Sequence, residues 1–212
     1  MTENIKVITH SCIRLENAVG IIYFDPYEVP GKPHDADYIL VTHDHYDHFS
    51  PEDIAKLAKP DTVMIVPEKM ADKAAGMKGT VGCIETVAPG EHRTIDRLEL
   101  ETVPAYNNIK PFHPKKNGWV GYILILDGKR IYVAGDTDMT KENKAVQCDI
   151  ALVPIGGTYT MDAKKAAELI NTIGPEVAIP THYGNIVGKA ADAEVFASLV
   201  KPPVKTEIKL KL

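Results

Sequence analysis

Cysteine is scarce in this chain: Cys12, Cys83 and Cys148 are odd in number and show no Cys-x-x-Cys spacing. That argues against a disulfide framework and a thiolate zinc site, and for a reducing compartment. Positive charge is also in short supply, since 24 Lys and Arg face 29 Asp and Glu for a net charge of −5. With no basic block beyond Lys115-Lys116, the chain has no general attraction for phosphate backbones, so no nucleic-acid partner is expected. Long apolar runs are missing too. None approaches the roughly 18 residues of a membrane-spanning helix, and Met1-Thr2-Glu3-Asn4 lacks the basic start and apolar stretch of an export signal. A cytoplasmic protein without a membrane partner is the expectation.

What remains is an ordinary globular composition, 44% hydrophobic and 25% charged over 212 residues. That is enough for a continuous core and argues against disorder, so a single domain over residues 1–212 is expected. Residues 6–15 and 18–24 read as paired strands around Glu16-Asn17, ending in Asp25-Pro26. His10 interrupts the first of them and faces either the core or the sheet end. Ser50-Pro51-Glu52-Asp53 is a helix start, with an N-cap, a proline at the first helical position and acids in the first turn. Strands follow at 62–66, 83–87 and 98–103, with a helical stretch at 68–75 and a turn at Pro89-Gly90. Residues 104–118 are a long aperiodic stretch containing Asn107, Phe112 and His113, suited to a loop that covers a site. A hairpin at 122–134, a strand at 150–154, a helix at 161–173 stopped by Gly174-Pro175, and a strand at 177–179 come next. A helix near 191–200 and an edge strand at 204–212 close the chain.

The densest chemistry lies in Val41-Thr42-His43-Asp44-His45-Tyr46-Asp47-His48, directly after an apolar strand. A lone histidine is ordinarily a core or solvated residue, but four ligand-type side chains within six positions are a different signal. His43 and His45, at i and i+2, leave one side of an extended backbone and can share an ion at about 2.0–2.1 Å. Asp47 and His48 follow where the chain turns, which aims them at a second ion roughly 3.5–4 Å from the first. Two further apolar strands also end in ligand-type residues, at Asp136 and His182. Packing alone gives no reason for this, whereas a site assembled at one end of a sheet does.

These pieces, His43-x-His45-x-Asp47-His48, Gly135-Asp136-Thr137 and Pro180-Thr181-His182, supported by His10-Ser11 and Asp25-Pro26, resemble the metallo-β-lactamase-fold hydrolases. Pro154-Ile155-Gly156 with Thr160-Met161 resembles the branch of ascorbate-6-phosphate lactonase and, more distantly, N-acylphosphatidylethanolamine phospholipase D. The resemblance implies an α+β, four-layer αββα sandwich with metals at one edge of the sheets. It also implies one metal site of His43 and His45, another of Asp47, His48 and His182, and Asp136 bridging. Where the family supplies a further histidine, this chain has Tyr106-Asn107, with His113 six residues later. His113 is expected to fold back as the ligand; Asn107 as an oxygen ligand, or a depleted site, is the alternative. Two divalent ions are implied, zinc first, with manganese or iron open to the same donors.

At such a dinuclear site hydroxide becomes available near neutral pH, and hydrolysis of a small ester, lactone or phosphodiester follows. Asp47 and Asp136 are the candidate catalytic carboxylates, and His10, Asn107 and Tyr159 the candidate substrate contacts. The Gly156-Gly157 amides are a weaker candidate for binding an anion, a tight turn being the plainer explanation. Competing readings are an iron-dependent oxidative enzyme of the same fold, and a non-catalytic metal-binding protein.

Overall fold

The expected succession of strands and helices is realised as two mixed sheets packed face to face, with helices on both outer faces. The structure, a computed structural model, describes residues 2–211. The first sheet is built from β1 (Ile5–Thr9), β2 (Cys12–Asn17), β3 (Gly20–Phe24), β4 (Ala36–Leu40), β5 (Ala58–Pro67) and β6 (Cys83–Val87), in that spatial order. Helices α1 (Pro51–Leu57) and α2 (Ala71–Ala74) cover its outer face. The second sheet holds β7 (His92–Ile95), β8 (Leu98–Pro104), β9 (Val120–Leu126), β10 (Lys129–Val133), β11 (Ile150–Pro154), β12 (Val177–Thr181) and β13 (Lys205–Thr206), again in chain order. Helices α3 (Ala163–Ile173) and α4 (Asp192–Leu199) pack beside it. Each sheet begins antiparallel, through β3 and β10 respectively, and continues parallel.

Side-chain alternation explains the layering. Tyr38, Leu40 and Ile65 point into the core between the sheets, while Ile39, Val41, Met64 and Val66 join the cluster beneath α1 and α2. Each such side chain, fully buried, contributes about 1.5–3 kcal/mol relative to exposure. α3 buries Ala163, Ala166, Ala167 and Ile170, the i, i+3, i+4, i+7 stripe of a half-buried helix. Asp162 caps it by accepting from the Lys165 amide, and Gly174, at φ 59°, ends it in the left-handed region.

Four local expectations need correction. The run 6–15 is not one strand: His10, at φ 46°, turns the chain between β1 and β2 and puts its own ring at the sheet end. β7 was hidden because His92-Arg93-Thr94 carry no apolar run, and an edge strand needs none. The proposed helix at 68–75 is α2 flanked by 3-10 turns at Glu68–Met70 and Ala75–Met77. The terminal edge strand shrinks to β13, paired parallel to β12.

Candidate active site

Apart from His113, which lies within the loop between β8 and β9, the predicted ligands follow strand ends, as does His10, the expected substrate contact, and the strands end at one seam between the two sheets. His43, His45, Asp47 and His48 follow β4, Asp136 follows β10, His182 follows β12 and His10 follows β1. The seam is fastened by hydrogen bonds between the sheets: the Val120 amide donates to the Thr42 carbonyl (3.2 Å), and the Tyr122 hydroxyl to the Val41 carbonyl (2.8 Å). The His182 amide donates to the His10 carbonyl at 2.9 Å, locking two of the site's own residues together. Two glycines permit the approach. A Cβ on Gly135 (φ 64°) would lie 2.9 Å from Thr42 Cβ, and one on Gly156 would lie 2.4 Å from the His182 carbonyl oxygen.

Three overlapping groups of donors result: His43 with His45 and His113; His10 with Asp47, His48 and His182; and His43 with His48 and Asp136. Within them His43 Nε2 lies 3.1 Å from His45 Nδ1, and His113 Nε2 lies 3.3 Å from Asp136 Oδ2. Asp136 Oδ2 is also 3.1 Å from His182 Nε2, and Oδ1 is 3.4 Å from His48 Nε2. Ligands of a tetrahedral zinc ion sit roughly 3.4 Å apart, as its bond lengths of about 2.0–2.1 Å require. The buried atoms His48 Nε2, His113 Nε2, His182 Nε2 and Asp136 Oδ1 have no hydrogen-bond partner. Such orphans are costly in a core. Converging at these separations, they fit a metal centre.

The surroundings aim the rings. Asp25, 1% exposed and at φ 43° just past β3, accepts from the Thr42 amide and hydroxyl, both at 2.7 Å. It also accepts from His48 Nδ1 at 2.7 Å, which leaves Nε2 facing the site. In the sequence Asp25 marks a strand end and, with Pro26, supports the family resemblance, but nothing there pairs it with His48. Asn107 does for His113 what Asp25 does for His48. Its Oδ1 accepts from His113 Nδ1 (2.9 Å) and from the His113 amide (3.1 Å), and its amide donates to the Tyr159 carbonyl (3.0 Å). Asn107 was expected to contact substrate or to replace a ligand; here its oxygen is occupied by His113.

Burial holds His43 well below the usual imidazole range and lowers His45 as well, with His48 and His113 as the next repulsive neighbours respectively, which favours the neutral, lone-pair-bearing rings. Burial opposes charge on His48 as well, yet Asp136 and Asp25 more than offset it and raise its pKa. Asp136 is buried, which favours protonation, but His182 and His48 outweigh this and keep it anionic. Asp47 is likewise held anionic against burial by His10 and His48. His10 is pushed down to about 4, mainly by burial, despite Asp47 at 3.2 Å. Fully buried behind Asp47, His10 stands among the donors and not on a substrate-facing wall.

Beside the donors opens a cavity of about 270 Å³ with His45, Asp47 and Asp136 on its floor. Its walls are Tyr46, Phe112, Tyr159 and Ile186. Tyr159 was anticipated. Tyr46 was overlooked inside the motif because its histidine neighbours drew the attention, and Ile186 sits in a loop with no pattern to mark it. The Gly156-Gly157 expectation resolves toward a turn: the Gly157 amide donates to the Met161 carbonyl at 3.0 Å.

Residues 4–182 match the beta-lactamase superfamily domain. The chain belongs to that superfamily. A UPF0173 metal-dependent hydrolase of Pyrococcus abyssi is 32% identical, the alignment covering 96% of this chain and 95% of the relative. The crystal structure of a Parabacteroides distasonis protein described as a metal-dependent hydrolase is 30% identical, with a TM-score of 0.79 over 97% of this chain and 91% of that one. The metallo hydrolase Igni18 of Ignicoccus hospitalis shares the fold at 24% identity and TM-score 0.77, over 96% of this chain and 93% of its own. This superfamily member is a metal-dependent hydrolase, and its mixed-sheet α+β sandwich is the metallo-β-lactamase fold.

Proposed function

We propose that the site holds two divalent cations and hydrolyses a small ester, lactone or phosphodiester. The observation that carries this reading is the ring of partnerless buried donors around Asp136 at the edge of an open cavity. His43, His45 and His113 would hold one cation, and Asp47, His48 and His182, with His10 beside them, the other. Asp136, whose Oδ2 lies between His113 and His182 and whose Oδ1 faces His48, would be shared by the two. Zinc suits this donor set first, and manganese and iron suit it next. Cations held there would supply a water of pKa about 7 and polarisation of the scissile carbonyl or phosphoryl oxygen.

The chain's own groups supply the rest. Asp47, on the cavity floor, orients the attacking water, accepts its proton and returns it to the leaving group. His10 positions that carboxylate from behind. Tyr159 and the neighbouring walls hold the non-reacting part of the substrate and exclude bulk water. Likeness to the lactonase and phospholipase D branch, a cytoplasmic setting and one domain over residues 1–212 belong to the same proposal; the His10-Ser11 and Pro154-Ile155-Gly156 steps and the cysteine pattern support them.

Metal quantification of the purified protein, coupled to a screen of lactones, phosphodiesters and thioesters, tests the reading. Two equivalents of metal are expected, with activity lost on chelation and restored by metal. His48→Ala should remove about one equivalent and lower kcat/KM by on the order of 10³-fold or more. Less than one equivalent, together with an unchanged His48→Ala variant, would sink it.

A further inference from the structure

Resting on the hydrolase reading above, we infer that the substrate's non-reacting part is an uncharged aryl or branched alkyl group. Neutral aryl esters and lactones are then the substrates, and phosphorylated or carboxylate-bearing compounds are not. The walls that carry this are Tyr46, Phe112, Tyr159 and Ile186. Phe112 meets Tyr159 edge to face, ring centroids 4.7 Å apart at 89°, which makes an aromatic corner among the residues that line the cavity. At about 270 Å³ the space lies just below the usual range of roughly 300–1,000 Å³ for small-molecule sites. It is the size for one ring, and a long chain would not be enclosed.

Charge points the same way. Among the described residues, no lysine or arginine lines the cavity. Three lysines near the cavity are turned onto protein acceptors, Lys73 onto Asp44, Lys110 onto Gly157, Thr160 and Asp138, and Lys115 onto Glu142, and Lys116 and Lys189 are not among the lining residues. All four arginines are committed elsewhere, Arg14 to Glu16 and Asp35, Arg93 to Glu85, Arg97 to Asp96 and Arg130 to Glu101. An anionic group held against the walls Tyr46, Phe112 and Tyr159, away from the cations proposed at the floor, would lose hydration and face the negative faces of the rings with no positively charged side chain beside it. A neutral ring gains area burial and edge-to-face contact there.

The test compares phenyl acetate with 4-acetoxybenzoate on the metal-loaded protein. The charged ester has the better leaving group, so a preference for the neutral one reports the pocket and not intrinsic reactivity. Phenyl acetate should show at least tenfold higher kcat/KM. Phe112→Ala should lower that value mainly through KM, and Phe112→Arg should narrow the preference severalfold. Phe112 is 42% exposed, so neither variant threatens the core. Equal or better turnover of 4-acetoxybenzoate, or no response at Phe112, overturns the inference. Calorimetric titration with benzamide separates the two readings, because it needs no turnover. Benzamide binding that Phe112→Ala weakens at least fivefold, with neither ester hydrolysed, supports the pocket and counts against the hydrolase reading. Ester hydrolysis without detectable benzamide binding does the reverse.

Discussion

Asn107 stands where the resemblance leads one to look for a histidine, and His113, six residues later, is brought back beside His43 and His45. The hairpin that returns it is short: the Asn107 amide donates to the His113 carbonyl at 2.8 Å while the two side chains pair. With Nδ1 engaged, His113 can offer only Nε2, so Asn107 sets both the tautomer and the direction of the ring. Removing the acceptor in Asn107→Ala should weaken metal affinity about 10–100-fold. A chelator competition followed by mass spectrometry of bound metal reads this directly. Asn107→Asp, which keeps an oxygen at the same point, should recover most of the loss; equal loss in both variants would mean that packing and not orientation is what Asn107 supplies.

At the scale of elements, the aperiodic segment 104–119 is held as firmly as a strand. Ala105 and Trp119 pair at its base (3.0 Å), Asn108 binds Asp138 and Met139, and Lys110 reaches the Gly157 carbonyl. Its outer clasp is Glu142, which accepts from the Tyr106 hydroxyl at 2.7 Å and from Lys115 Nζ at 2.6 Å. Partial burial favours the protonated form of Glu142, but Lys115 and then Tyr106 outweigh it and bring its pKa from an ordinary 4.5 to about 2. A carboxylate with a depressed folded pKa stabilises the fold above its unfolded value and loses that contribution as pH falls through the folded one. The clasp therefore contributes at neutral pH and fades between about 4.5 and about 2. Because the pair meets solvent, about 1 kcal/mol or less is at stake. Thermal melts of the metal-free wild type and Glu142→Gln should differ by a few degrees at pH 7 and converge as acid is added. A constant gap across that window would disprove the assignment.

For the whole molecule, the metal centre is where the two halves of the sandwich are joined on one edge. Donors after β1 and β4 belong to the first sheet, and donors after β10 and β12 to the second. Cations that bind the folded chain and not the unfolded one stabilise it by mass action, about 4 kcal/mol when free metal is a thousandfold above its dissociation constant. For a chain of this size that corresponds to a loss of on the order of 10 °C in Tm on chelation. Differential scanning of holo and metal-free protein measures it. The metal-free form should also lose amide protection first at residues 43–48 and 182, where the cation replaces covalent continuity between the sheets.

How much of this was legible in the chain itself varies with the range of the interaction. The ligand-bearing strand ends, the Ser50 helix start and the Gly174 stop are local chemistry, carried by spacing, capping and turn propensity within a few residues. Side-chain type and order alone therefore determined the family, the fold class and most candidate ligands. Tertiary structure decided what depends on distant neighbours. It made Asp25 the anchor of His48 and Asn107 the anchor of His113, and it placed His10 behind Asp47. It also drew Tyr46, Phe112, Tyr159 and Ile186, from four separate loops, into one wall. None of these pairings has a sequence period, because each is set by how two twisted sheets meet at their edge, and that register exists only once both cores are packed.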